Sequence, residues 1–243
     1  LTLTLAAAGD VTLSVTATAH EEGGATNSVS AEIDVSFSGT SGSDIIDGGA
    51  GNDVIPGGHG NDLLDMSSAQ SPVAAYIYAG FALGDGYDTF TGIEGVWGSR
   101  FGDQLYGDGG DNTFRGGDGS DQIFAFEGND TIDGGAGGDQ LYGYGGNDVI
   151  ADGSGSDQVY GDAGNDTIIA AGDSDSDQYN GGSGFDVVDF SAATSALDID
   201  LGDHQVRGAG KDKVFDIEGV IGSAYGDEIE GDDRGQAPLR TAR

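Results

Sequence analysis

An aspartate returns every nine residues through much of this chain, each time just behind a glycine-rich turn. GGAGNDVIP (48–56), GGDGSDQIF (116–124), GGAGGDQLY (134–142) and GGSGFDVVD (181–189) show the unit in good form. Fourteen copies align, and thirteen place aspartate sixth: Asp44, Asp53, Asp62, Asp103, Asp121, Asp130, Asp139, Asp148, Asp157, Asp166, Asp177, Asp186 and Asp227. Asn112 fills that place in the other copy. Aspartate is a common turn residue that bonds its own backbone, so Asp-Gly richness alone is weak ground. One fixed phase through thirteen copies asks for more than turn preference. Carboxylates stacked a few ångström apart repel unless something positive lies between them. Hard cations such as Ca2+ take about six to eight oxygens from carboxylates and carbonyls, and oxygen is nearly all this chain offers. The thirteen aspartates are the candidate metal ligands, and several Ca2+ ions are the expected cofactor and partner.

A short fixed period also dictates what positions these groups: a solenoid rather than an ordinary globule. Within 98–189 the seventh position alternates Gln104, Thr113, Gln122, Thr131, Gln140, Val149, Gln158, Thr167, Gln178, Val187. The ninth alternates as well, with Tyr106, Phe124, Tyr142 and Tyr160 only in odd copies. The structural repeat is therefore eighteen residues, two nonapeptides per coil, with odd and even copies building opposite sheets. The apolar eighth position, from Leu105 to Val188, faces inward. Aspartates two copies apart then share an edge: Asp103, Asp121, Asp139, Asp157 and Asp177 on one, Asn112, Asp130, Asp148, Asp166 and Asp186 on the other. The shorter first array stacks Asp44 on Asp62, whereas Asp53 is expected to lack a full partner turn. If each gap holds one ion, about nine ions would bring roughly +18. Sites near Asn112, Phe101, Ala125-Phe126 and the two extra residues of 170–180 are expected to be weak.

Composition agrees with metal as the organising partner. The 243 residues hold 48 glycines, 43 acidic and 8 basic side chains, for a formal charge of −35. Without the period, so much charge and glycine would argue for disorder. No lysine or arginine precedes Arg100, and the acidic field repels phosphate, so nucleic acid is not an expected partner. There is no cysteine, which leaves metal rather than disulfides as the staple. The apolar stretch near Pro72–Leu83 is too short to span a bilayer. The chain opens at Leu1, and we expect it to be a fragment of a larger protein.

The pattern G-G-x-G-x-D-x-U-x, with U apolar, resembles the RTX (repeats-in-toxin) family of hemolysin-type calcium-binding repeats. That resemblance implies an all-β fold, a right-handed parallel β-roll or β-helix-like solenoid, with each ion held between neighbouring turns of one edge. It implies a secreted, extracellular bacterial protein, exported unfolded by type I secretion and folded outside by calcium. The expected divisions are a short array at 39–65, linking or capping strands at 66–97, the main roll at 98–189, linking or capping strands at 190–221, a residual repeat at 222–232 and a disordered tail at 233–243. Residues 1–38 alternate apolar and polar (Val11, Leu13, Val15, Ala17; Val29, Ala31, Ile33, Val35, Phe37). They read as a hairpin and weakly resemble the final strands of a bacterial immunoglobulin- or cadherin-like domain. Asp88–Asp108 aligns with Asp212–Asp232, sharing I-E-G-V-x-G-S, and both segments read as strands continuing or capping the roll.

Other motifs are weaker. Asp173-x-Asp175-x-Asp177 starts like an EF-hand loop, but Gln178 and Gly184 stand where its glycine and glutamate should be, which makes it an acidic loop with at most an accessory cation. His20, His59 and His204 are isolated and read as solvent-facing. No G-x-S-x-G occurs, and we expect no catalysis in this stretch. The parent protein could be an RTX hydrolase or an RTX adhesin stalk. The Tyr106–Phe124–Tyr142–Tyr160 stripe reads first as a cross-strand ladder supporting the sheet, and second as a flat platform for a glycan or cell-surface partner.

Overall fold

The structure, a computed structural model, describes residues 14–16, 34–36, 39 and 41–231. Strands are the regular elements throughout, apart from a single 3-10 turn at Ile77–Ala79, among the described residues. Two long sheets of fifteen and nine strands face each other. Consecutive nonapeptides alternate between them. Gln104–Tyr106, Gln122–Phe124, Gln140–Gly145 and Gln158–Ala163 run side by side in the larger sheet. Thr113–Asp118, Thr131–Ala136, Val149–Ala151 and Thr167–Ile169 do so in the smaller one. All these pairs are parallel, and their partners differ by eighteen residues, as Gln104↔Gln122 and Thr113↔Thr131 illustrate. The fold is thus a parallel β-roll with two nonapeptides per coil. The extra residues of 170–180 are absorbed without loss of register, because Gln158 pairs with Gln178 and Thr167 with Val187.

The inward row is apolar because each strand shows one face to the narrow space between the sheets. Leu105, Phe114, Ile123, Ile132, Leu141, Ile150, Val159, Ile168, Tyr179 and Val188 are all buried. The same core continues beyond the main array through Ile55, Leu64, Phe90, Val96, Val214 and Val220. The smaller sheet runs without interruption from Ile45–Ile46 to Gly219–Ile221.

The two segments that share I-E-G-V-x-G-S continue the roll rather than interrupt it. Each opens on the last strand of an antiparallel meander in the larger sheet: Ala74–Tyr76, Phe81–Leu83 and Tyr87–Thr91 lead into the first, and Asp198–Asp200, Gln205–Arg207 and Lys211–Phe215 into the second. The last strand of each meander pairs in parallel with the coil before it, and the first strand with the coil after it. The chain steps forward over the sheet and then fills in behind itself. The N-terminal hairpin is described only as Ser14–Thr16 antiparallel to Asp34–Ser36, whose Ser36 meets Val54 in parallel. The rest of 1–38, and the tail from 232, lie outside the described residues.

Candidate metal centres

The turns repeat one hydrogen-bond pattern. Within the arrays the backbone N–H of a position-six residue donates to Oδ1 of the aspartate one coil further on. Asp103 donates to Asp121 (2.7 Å), Asp121 to Asp139 (2.8 Å), Asp139 to Asp157 (2.7 Å) and Asp157 to Asp177 (2.9 Å). On the other edge Asn112 donates to Asp130 (2.6 Å), Asp130 to Asp148, Asp148 to Asp166 and Asp166 to Asp186 (each 2.8 Å). In the first coils Asp44 donates to Asp62 (2.9 Å). The carboxylates therefore form two continuous columns, with each Oδ1 engaged by backbone.

The second oxygen is another matter. Oδ2 of Asp62, Asp121, Asp130, Asp139, Asp148, Asp157, Asp166, Asp186 and Asp227 is shut off from solvent and meets no hydrogen-bond donor. Leaving one ionised oxygen buried and unmatched is costly, and repeating it along two columns multiplies the cost. Burial, the largest cause in each case, pushes the carboxyls of Asp121, Asp130 and Asp157 up to about 7, with neighbouring carboxylates adding to the shift. Asp139, Asp166 and Asp186 rise to about 6, again chiefly by burial. A column of orphaned oxygens among turn backbone is a donor set for a hard cation. The residues present fit calcium.

The turn geometry requires glycine where coils touch. At Gly137 φ is 148°, and a Cβ there would overlap the carbonyl oxygen of Gly119 in the previous coil. The second position is less strict, and Phe126 and Tyr144 adopt the left-handed region at φ 78° and 69°.

Four acids outside the fourteen copies continue the columns, and one of them completes the turn of Asp53. Asp53 does have a partner turn, contrary to expectation, because its N–H donates to Oδ1 of Asp88 (2.9 Å). Asp212 serves Asp177 in the same way (3.2 Å). Glutamates fill the place on the opposite edge: Oε2 of Glu94 accepts from Asp62 N–H (2.8 Å), and Oε2 of Glu218 from Asp186 N–H (3.0 Å). The internal duplication carried the signal, since Asp88 and Asp212, and Glu94 and Glu218, are matched pairs within it.

Three positions stand apart from the regular columns. Asp103 is fully engaged, its Oδ1 by Val73 N–H and Ser99 Oγ, its Oδ2 by Ser99 N–H. Asp227 has the equivalent Oδ1 partners, Leu197 N–H and Ser223 Oγ, but keeps an orphaned Oδ2. Asn112 accepts from Asp108 N–H and directs its amide at Glu94 O (3.2 Å) and Asp108 Oδ1 (3.3 Å).

The weaker motifs also resolve. Asp173 accepts from Asp175 N–H and closes a local turn. His59 and His204 are exposed, though His204 Nδ1 lies 3.0 Å from Val214 O and its ring stacks on Phe215. The aromatic stripe lengthens to Tyr76, with successive ring centroids 4.8, 4.9, 5.1 and 4.9 Å apart and planes within 11° of parallel. Within the stack each ring covers a face of its neighbour, from Tyr76 to Tyr160. The stacked rings brace neighbouring strands of the larger sheet as a cross-strand ladder. No helix among the described residues is long and apolar enough to cross a membrane.

The model of one family matches the chain, the RTX calcium-binding nonapeptide repeat, in four copies at residues 38–65, 106–141, 142–176 and 153–188. No curated protein matches. The matched stretches contain most of the columns of orphaned carboxylates. These stretches are RTX calcium-binding nonapeptide repeats, and the chain that carries them is a calcium-binding parallel β-roll.

Proposed function

We propose that this chain is a calcium-triggered folding segment of a secreted bacterial protein, exported unfolded by type I secretion and ordered outside the cell. The observation that carries the reading is the double column of buried Oδ2 atoms without donors. Those oxygens oppose folding where calcium is scarce and support it where calcium is abundant, because metal binding to such a site is folding free energy. The position-six aspartates, with Asp88, Asp212, Glu94 and Glu218, are the ligands in this reading. Turn carbonyls complete the shell, and the ion supplies the positive charge that the stacked carboxylates lack. Site affinities of order 10⁻⁴–10⁻³ M, typical of extracellular modules, would match that switch. The stretch itself performs no catalysis, and any hydrolase or adhesive activity, or binding to a cell surface or glycan, belongs to the parent protein.

Circular dichroism tests this directly. In chelator the chain is expected to be largely unordered and open to protease, and millimolar calcium should produce β-structure and protection. A spectrum indifferent to both calcium and chelator would sink the reading.

A further inference from the structure

Position one of the nonapeptide is glycine in most copies for a steric reason. A Cβ at Gly134 would lie 2.8 Å from Oδ2 of Asp139, five residues on, and at Gly116, Gly143 and Gly161 it would press on the matching Oδ2 still more closely. A side chain at this position is thus aimed at the orphaned oxygen of its own repeat. Asp152 stands there, ahead of Asp157. Two other departures from the repeat meet it. Tyr179 replaces an aliphatic residue of the inward row, and its hydroxyl donates to Asp152 Oδ2 (2.6 Å), with Asp177 Oδ2 at 3.2 Å. The irregular repeat at 170–180 brings Ala171 N–H to Asp152 Oδ1 (2.9 Å).

Carboxylate oxygens of Asp152, Asp157 and Asp177 consequently lie within 4.8 Å of one another. All three residues are buried, and Asp157, 2% exposed, keeps an Oδ2 without any hydrogen-bond partner. The single tyrosine proton cannot neutralise three acids. From this geometry we propose that Asp152, Asp157 and Asp177, with the Tyr179 hydroxyl, form a three-carboxylate cation site that is the tightest in the roll. It rests on the calcium reading above but differs from the regular gaps, which offer two position-six acids each. The third carboxylate raises affinity for Ca2+ and favours a trivalent ion of similar size, since ligand charge sets the affinity of oxygen sites.

The test compares the wild-type chain with Asp152→Gly, which restores the usual residue, and Asp152→Asn, which keeps the shape and an acceptor for Tyr179. Calcium titrated by calorimetry should show one tight ion in wild type, weakened about tenfold or more in both variants. Both should still fold at saturating calcium through the remaining gaps. Tb3+ at one equivalent, excited through tyrosine, should luminesce in wild type and lose most emission in Tyr179→Phe. Unchanged affinity in both Asp152 variants would overturn the site, leaving Asp152 a hydrogen-bonded core acid. So would weakening in the glycine variant alone, which would assign a positioning role, or emission that survives in Tyr179→Phe, which would place the first ion elsewhere. A wild-type chain that ignores calcium altogether would instead sink the reading of the whole roll.

Discussion

Each regular position-six aspartate uses Oδ1 to hold the coil before it, so Oδ2 is the atom that must find positive charge. At Asn112 a side-chain amide stands in the place of that carboxylate. Its amide points at Glu94 O and Asp108 Oδ1, and a neutral donor there satisfies acceptors that would otherwise face a carboxylate. Asn112→Asp should therefore turn a self-satisfied turn into a cation-demanding one. The expected outcome is one additional calcium per chain by calorimetry or native mass spectrometry, together with a greater calcium requirement for folding. If stoichiometry and midpoint both stay at wild-type values, the orphaned Oδ2 is not what creates demand for an ion.

At the scale of the coil, close backbone approach is what glycine supplies. Gly137 combines φ 148° with a Cβ position occupied by the neighbouring coil, whereas a Cβ at Gly109 meets nothing within 4 Å. Gly137→Ala should cost about 1–3 kcal/mol or more in the calcium-loaded form, while Gly109→Ala should stay within about 0.5 kcal/mol. Urea titration of both variants in excess calcium checks the contrast. The coil itself was legible in the sequence, because alternating Gln and Thr at position seven and aromatics at position nine label opposite sheets. The meanders were not, since their strands leave the nine-residue period and pair antiparallel, and alternation alone does not say with what. Glu94 and Glu218 were hidden for a related reason: I-E-G-V keeps the phase of D-x-U but lacks the doubled glycine that opens a repeat and carries a longer acid. Asp152 was passed over because a motif read as a consensus gives an exception no role. Only the structure brings it together with Asp177, twenty-five residues away.

For the molecule as a whole, calcium and protons compete for the same oxygens, and the sign is the reverse of the ordinary carboxylate case. Acids that gain a cationic or hydrogen-bonding partner on folding have lowered pKa values; here burial raises Asp121, Asp130 and Asp157 to about 7 from an ordinary value of 3.8. Between those limits the metal-free folded roll binds protons that the unfolded chain does not, so its stability falls as pH rises. That contribution is fully present below about pH 4 and is lost as pH passes through 6 to 7, where the folded carboxyls ionise. The formal charge of −35 adds repulsion in the same direction. In chelator, more β-structure is therefore expected at pH 5 than at pH 8. With calcium present the dependence inverts, because the ion binds the ionised columns and must displace their protons. The calcium midpoint for folding should shift to lower concentration from pH 6 to pH 8, with proton release on binding measurable at pH 6 by calorimetry in buffers of different ionisation enthalpy. A midpoint that does not move across this range, with no protons released, would mean that the ions are held by turn carbonyls without the buried carboxylates.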